Sequence, residues 1–109
     1  MRNRDLQIIE KIMKRISAAL HYCENETLDS FNANAMLQEA CVFNLLQIGE
    51  LANHLSPEFT ADNPSIPWRQ MIGLRNRLVH DYDGIRLTIV WETISNDFPV
   101  LQSQLQSLL

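Results

Sequence analysis

No stretch of the chain approaches the roughly 20 consecutive apolar residues that a membrane helix needs. From Met1 to Lys14 the charges of Arg2, Arg4, Asp5, Glu10 and Lys11 interrupt the apolar residues, so no signal-peptide core forms there. These absences predict a soluble, cytoplasmic protein with no membrane partner. Cysteine is scarce. Cys23 and Cys41 both fall at apolar positions of helix-like patterns, where a reduced thiol packs as a small hydrophobe, and a disulfide is the lesser reading. His21, His54 and His80 stand far apart, no Cys/His spacing resembles a zinc site, and neither metal nor cofactor is expected. Positive charge is also in deficit: 9 Lys and Arg face 13 Asp and Glu, for a net of -4. That balance argues against a general nucleic-acid coating protein, which is normally basic. Internal repeats and low-complexity segments are absent. With 109 residues there is room for one core and not two, so a single domain spanning 1–109 is expected.

What is present is an ordinary globular balance, 46% apolar and 20% charged, with its charge unevenly spread. Between Pro67 and Arg86 stand Arg69, Arg75, Arg77 and Arg86 against Asp81 and Asp83, a net of +4 - 2 = +2, which leaves -4 - 2 = -6 for the remainder. An acidic body with one locally basic segment suits an anionic ligand met at a defined site.

The apolar spacing is helical throughout. Leu6, Ile9, Met13, Ile16, Leu20 and Cys23 recur at steps of three and four, with Ile8, Ile12 and Ala19 widening the stripe, which predicts a first amphipathic helix. Glu24 to Asp29 reads as a connection, with Asp29 or Ser30 available to cap the next helix. That second helix carries Leu37, Cys41, Ile48, Leu51 and Leu55, with Asn44 where an apolar residue is due and apolar residues on its other faces. It is therefore expected to be the central, most buried helix. Gly49 within it costs roughly 1 kcal/mol relative to Ala, an expense offset if another backbone approaches closely. Asn44, Gln47 and Glu50 form either a solvated strip or a polar edge facing a cleft. Ser56 to Ile66 reads as a loop with one helical turn after Ser56, and Pro67 fits the first turn of a third helix. That helix takes its core side from Trp68, Ile72 and Leu78 or Val79, and ends near His80 at the turn-like run Asp81-Tyr82-Asp83-Gly84. Leu87, Trp91, Ile94, Phe98, Leu101, Leu105 and Leu108 form the seam of a last helix, which Pro99 should kink or restart near Asn96 to Phe98. The reading is all-α, an antiparallel four-helix bundle with a kinked last helix. Wide seams on the first and last helices suggest a homodimer closing over leftover apolar surface.

The densest polar constellation is Arg75-Asn76-Arg77-Leu78-Val79-His80-Asp81-Tyr82. Five residues along an ideal helix turn about 140° past a full revolution, so Arg75 and His80 share no face of one continuous helix. They converge if the helix ends between them, or if two subunits bring their copies together. A histidine at the negative end of a helix, beside Asp81, suits proton transfer in the neutral range. An arginine can hold a phosphate through two N–H donors. Asn76 could fix the imidazole or the substrate, and Tyr82 could stack on a base or bond a phosphate. Residue types alone leave a plainer alternative open, in which His80 caps a helix end and Arg75 pairs with a carboxylate.

Arg75-x4-His80-x-Tyr82, with Asn76 directly after the arginine, resembles the active motif of HEPN ribonucleases of the HepT type. Ile48-Gly49-Glu50, Ile66-Pro67-Trp68, Gly73-Leu74-Arg75-Asn76, Val90-Trp91 and Asp97-Phe98-Pro99 extend the resemblance from about Arg4 to Leu105. The resemblance implies a helical homodimer whose two motifs face each other in a cleft and cut RNA, tRNA being the natural substrate, without a metal. Arg75 and His80 become the catalytic pair, Asn76 an accessory polar residue, and a 2',3'-cyclic phosphate the product end. It also implies a toxin–antitoxin pair, in which a nucleotidyltransferase of the MntA type neutralises the toxin by transferring AMP to Tyr82. An inactive HEPN module that binds a nucleotide or a partner, and a purely structural dimerisation module, are the competing readings.

Overall fold

The computed structural model describes residues 3–109; Met1 and Arg2, the latter among the charges of the leading segment, lie outside the described residues. Among these residues every regular element is helical. The elements are α1 (Arg4–Tyr22), α2 (Leu28–Asn32), α3 (Ala35–Asn53), α4 (Pro57–Asp62), α5 (Trp68–His80), α6 (Leu87–Glu92) and α7 (Phe98–Gln106). A 3-10 turn at Tyr82–Gly84 follows α5, and a π-helical segment, Thr93–Asp97, joins α6 to α7. The all-α class read from the sequence is therefore the class observed.

Helix starts follow the local chemistry. The Asn3 side chain caps α1 by accepting from Leu6 N at 3.0 Å, and Asn34 caps α3 by accepting from Leu37 N at 3.1 Å. Between them the cap is Thr27, not Asp29 or Ser30. Thr27 Oγ1 accepts from Ser30 N, and Ser30 Oγ accepts from Thr27 N, a reciprocal box that opens the short α2 before α3 begins. The turn expected after Ser56 is α4, whose first residue is Pro57.

Helix α3 is the centre, packed against α1 on one side and α5 on the other, while α1 also meets α7. On α1 the buried line is Ile9, Ile12, Ile16 and Ala19 with Ile8, whereas Leu6, Met13, Leu20 and Cys23 stay only partly buried. Ile12 and Ala19, which only widen the sequence stripe, thus share its centre with Ile9 and Ile16, because α1 is covered by both α3 and the α7 region. This consumes the α1 seam within the chain. The large apolar side chains left exposed are instead Met36 and Phe43 on α3, Val79 on α5, Val100 on α7, and Tyr22, Tyr82 and Leu109.

Asn44 is buried at 2% exposure, so it is a core residue and not part of a solvated strip. Its Nδ2 donates to Ala40 O at 2.9 Å, while Oδ1 has no partner. The last helix restarts at Phe98, within the expected stretch Asn96 to Phe98, after a π-helical segment that begins at Thr93. Proline offers no N–H and its ring crowds the carbonyl four residues back, which is Ser95, and the wider π turn of Thr93–Asp97 absorbs that conflict. Thr93 Oγ1 donates to Ile89 O at 2.7 Å at the same place. Cys23 and Cys41 are free thiols, with Sγ atoms 3.5 Å apart. No helix among the described residues is long and apolar enough to cross a membrane.

Candidate active site

Helix α5 carries the constellation, and α3 holds it from behind. The two helices approach closely at Gly49, where an added Cβ would collide with Arg75 Cβ and fall 2.8 Å from both Arg75 Cγ and Met71 O. A glycine is required at that crossing, as its place inside a long helix indicates. The close approach sets the aliphatic stem of Arg75 against α3 and carries its guanidinium to Glu50, the next residue along.

Arg75 Nη2 donates to Glu50 Oε2 at 2.8 Å, and Arg75 Nη1 donates to Asn76 Oδ1 at 2.9 Å. The other oxygen, Glu50 Oε1, lies 3.0 Å from His54 Nε2, one turn further along α3. His54, Glu50, Arg75 and Asn76 thus form one chain of contacts across two helices. Glu50 keeps 43% side-chain exposure while its carboxylate turns to Arg75, and Asn44 is core, so the three polar residues of α3 do not form one solvated strip. The plain alternative for Arg75, pairing with a carboxylate, is met. It is compatible with holding a phosphate, because a guanidinium carries five N–H donors and this pairing leaves the rest for an anion. The side chains of Arg75 and Glu50 are 29% and 43% exposed, so the pair contributes at most about 1 kcal/mol to stability and acts chiefly by orienting the arginine.

His80 is the last residue of α5, as the turn-like run after it indicates, and is exposed. The helix does not end between Arg75 and His80, so that route to convergence is excluded. Within one chain the two side chains leave the helix about 140° apart. Asn76 is brought against Arg75, whereas His80 makes no hydrogen bond to either of them. Tyr82 begins the 3-10 turn at 47% exposure. With Gln38, Val42, Leu78, Ile85 and other residues it lines a cavity of about 280 Å³. At the end of that turn, a Cβ on Gly84 would strike the Asp81 carboxylate, so the glycine lets Asp81 fold back over the turn.

Sequence reasoning misses His54, which stands in the chain as a lone histidine. Its signal is the four-residue step from Glu50, which puts both on one face of α3. A larger apolar cavity of about 460 Å³ lies between α3, α5 and α7. It touches Met71 and Leu74 of α5 but neither Arg75 nor His80. Among the described residues no group of three or more His, Cys, Asp or Glu is arranged to hold a metal ion.

Burial separates the two thiols from this chemistry. Both are pushed up, Cys23 by partial burial and Cys41 to about 12 by burial and then by the neighbouring Cys23. Neither is a nucleophile at neutral pH.

An all-α chain of the HEPN type, with a guanidinium steadied on the central helix and a histidine at the end of the next, is the class that fold and site define. The profile of the family described as "Ribonuclease HepT-like" matches residues 5–108, and the chain belongs to that family. It is 30% identical over 101 residues to a candidate RNase of Caldanaerobacter subterraneus, covering 93% of this chain and 90% of that one. It is 27% identical over 107 residues to a candidate RNase of Methanocaldococcus jannaschii, covering 97% and 98%. It is 28% identical over 100 residues to the probable ribonuclease HepT of Thermococcus cleftensis, covering 92% and 91%. No solved structure matches the chain. Family membership supports a ribonuclease activity and an RNA substrate.

Proposed function

We propose that the chain is a metal-independent endoribonuclease, the toxin of a toxin–antitoxin pair, and that it cuts structured RNA, tRNA foremost. The observation that carries this reading is the arginine itself. Glu50 and Asn76 fix the Arg75 guanidinium while leaving N–H donors for a phosphate, and His80 stands exposed at the end of the same helix.

The ribose 2'-OH attacks the adjacent phosphorus while His80 accepts its proton. Arg75 offsets the charge that builds on the phosphorane oxygens, and Asn76 keeps the guanidinium in plane with them. The P–O5' bond then breaks, and the departing 5' oxygen takes a proton from imidazolium, leaving a 2',3'-cyclic phosphate and a 5'-hydroxyl. These steps need no charge or base beyond the protein's own side chains.

The divergence of Arg75 and His80 around α5 supports a complete site drawn from two chains. A homodimer provides this, the histidine of one protomer facing the arginine of its partner. Exposed Met36 and Phe43 on α3 and Val79 on α5, the two helices that carry the Glu50–Arg75 pair, supply apolar area for such a contact. A nucleotidyltransferase antitoxin of the MntA type would silence the enzyme by placing AMP on Tyr82. The phenol oxygen attacks the α-phosphorus of ATP, losing its proton, and pyrophosphate leaves. The 47% exposure of Tyr82 supports that role.

The test is cleavage of labelled RNA in EDTA by the wild type, by Arg75→Ala and by His80→Ala. Cleavage by the wild type alone supports the reading, and equal cleavage by all three defeats the site assignment. Intact mass after co-expression with such a nucleotidyltransferase tests the control point: an AMP-sized increment that persists in Tyr82→Phe rules out Tyr82. Light scattering at the mass of one chain at micromolar concentration counts against the dimer.

A further inference from the structure

A cleft between α1 and α3 has chemistry that the catalytic reading does not use. Arg4, Gln7, Ile8 and Lys11 from α1, with Leu51 of α3 and His54 at its end, enclose a cavity of about 280 Å³. Arg4 and Lys11 are seven residues apart, two turns of one helix face, with Gln7 between them. Among the described residues no carboxylate lines the cleft, in a chain whose net charge is -4. Arg4 and Lys11 alone carry +2, which leaves -4 - 2 = -6 for the rest. Among the described residues neither forms an ion pair. Asp5, beside Arg4, is already engaged, since Oδ1 accepts from Ser56 N and Oδ2 from Ser56 Oγ, both at 2.8 Å. That clip pins the first turn of α1 to the chain just after His54, so the cleft is held open by the fold.

Its position gives it meaning. His54 lines the cleft and also contacts Glu50 Oε1 at 3.0 Å, while Glu50 Oε2 holds Arg75 at 2.8 Å. One carboxylate therefore separates the cleft from the candidate phosphate-binding guanidinium. Two cations over an apolar floor of Ile8 and Leu51 match a sugar-phosphate backbone, which presents charge at intervals with ribose between.

We propose that the cleft between α1 and α3 is a second phosphate subsite, in which Arg4 and Lys11, with Gln7 and His54 beside them, hold the backbone of an RNA strand whose scissile phosphate lies at Arg75. The subsite rests on the ribonuclease reading above and adds to it a footprint longer than the cut bond. A dinucleotide, with its single phosphodiester, fills the Arg75 site and cannot reach the cleft.

The test compares the full-length wild type with the double variant Arg4→Gln, Lys11→Gln, both changes being at exposed positions. Binding is measured by anisotropy with a labelled 20-nucleotide 2'-O-methyl RNA, which lacks the attacking hydroxyl, across a salt series. Loss of two phosphate contacts should weaken binding about 10-fold near 100 mM salt and reduce the slope of log affinity against log salt by about 1.4. On a cleavable 20-mer, KM should rise with kcat unchanged, a dinucleotide should be cut at the wild-type rate, and Arg4→Lys, Lys11→Arg should restore binding. Unchanged affinity and slope overturn the subsite while leaving the ribonuclease reading intact. Equal losses on 20-mer and dinucleotide also overturn it, because they denote a structural role. A wild type that neither binds nor cuts RNA defeats the ribonuclease reading and the subsite with it.

Discussion

Glu50 on α3 and Arg75 on α5 meet at 2.8 Å across a helix crossing that the missing side chain of Gly49 makes possible. The carboxylate does not neutralise the site so much as aim it, since its second oxygen lies against His54 and the arginine keeps further donors. Position on the central helix gives Glu50 a rigid footing, and Arg75 inherits it.

Glu50→Ala should separate orientation from stability. Thermal denaturation should show a loss of no more than about 1 kcal/mol, as for other partly exposed pairs. RNA cleavage should fall by about 10-fold or more, the usual penalty when a catalytic group is misplaced. Glu50→Asp should recover part of it. Wild-type turnover in Glu50→Ala would show that Arg75 needs no support from α3.

Gly49→Ala should destabilise the fold even though alanine is the better helix former by about 1 kcal/mol. The new methyl group meets the stem of Arg75 and the Met71 carbonyl, and the latter belongs to backbone that cannot move away cheaply. Overpacking of this kind costs about 1–3 kcal/mol, so a net loss in denaturant midpoint is expected together with reduced cleavage. A stabilised variant would mean that α3 and α5 stand further apart in solution.

Asn44→Leu should leave stability unchanged or raise it. Leucine has the same branching, and the substitution removes a buried Oδ1 that has no partner, at the cost of the bond from Nδ2 to Ala40 O. A gain of about 1 kcal/mol would lift the melting temperature by about 4–8 °C. A marked loss, read by calorimetry, would instead indicate that the amide is bonded to buried water.

The thiols predict a pH dependence with a definite sign. Folding holds Cys41 at about 12 and also raises Cys23, whereas the ordinary value is 9.0. Above pH 9 the unfolded chain ionises while the folded one keeps its protons, so stability is intact below about pH 9 and falls as pH rises towards 12. Cys41→Ala should flatten that decline in denaturant titrations. At about pH 8, just below the ordinary thiol range, alkylation followed by peptide mass should reach partly exposed Cys23 before buried Cys41, and the reverse order would contradict the burial.

Much of the fold is written in the periodicity. The steps of three and four in α1, α3, α5 and the last helix mark the long elements, and the prolines and turn residues mark where they stop. Boundaries are less legible where small polar residues compete. Thr27, Asp29 and Ser30 are all competent caps, and the choice of Thr27 depends on a reciprocal bond with Ser30 that composition does not reveal. The α1 stripe is displaced because a wide apolar face does not say which of its edges two neighbouring helices will cover.

By itself the sequence determined that the chain is helical, where Arg75, Asn76, His80 and Tyr82 stand relative to one another along the chain, and that a glycine stands inside the central helix. These follow from local propensity and from spacing, which any linear reading can count. Only the tertiary structure decided that Asn44 is core, and that Glu50 and His54 stand behind the arginine. It also decided that Arg4 and Lys11 of the first helix share a cleft with His54 at the end of the central one. Such pairings arise when packing brings separate helix faces together, and a face's partner is not encoded in its own period.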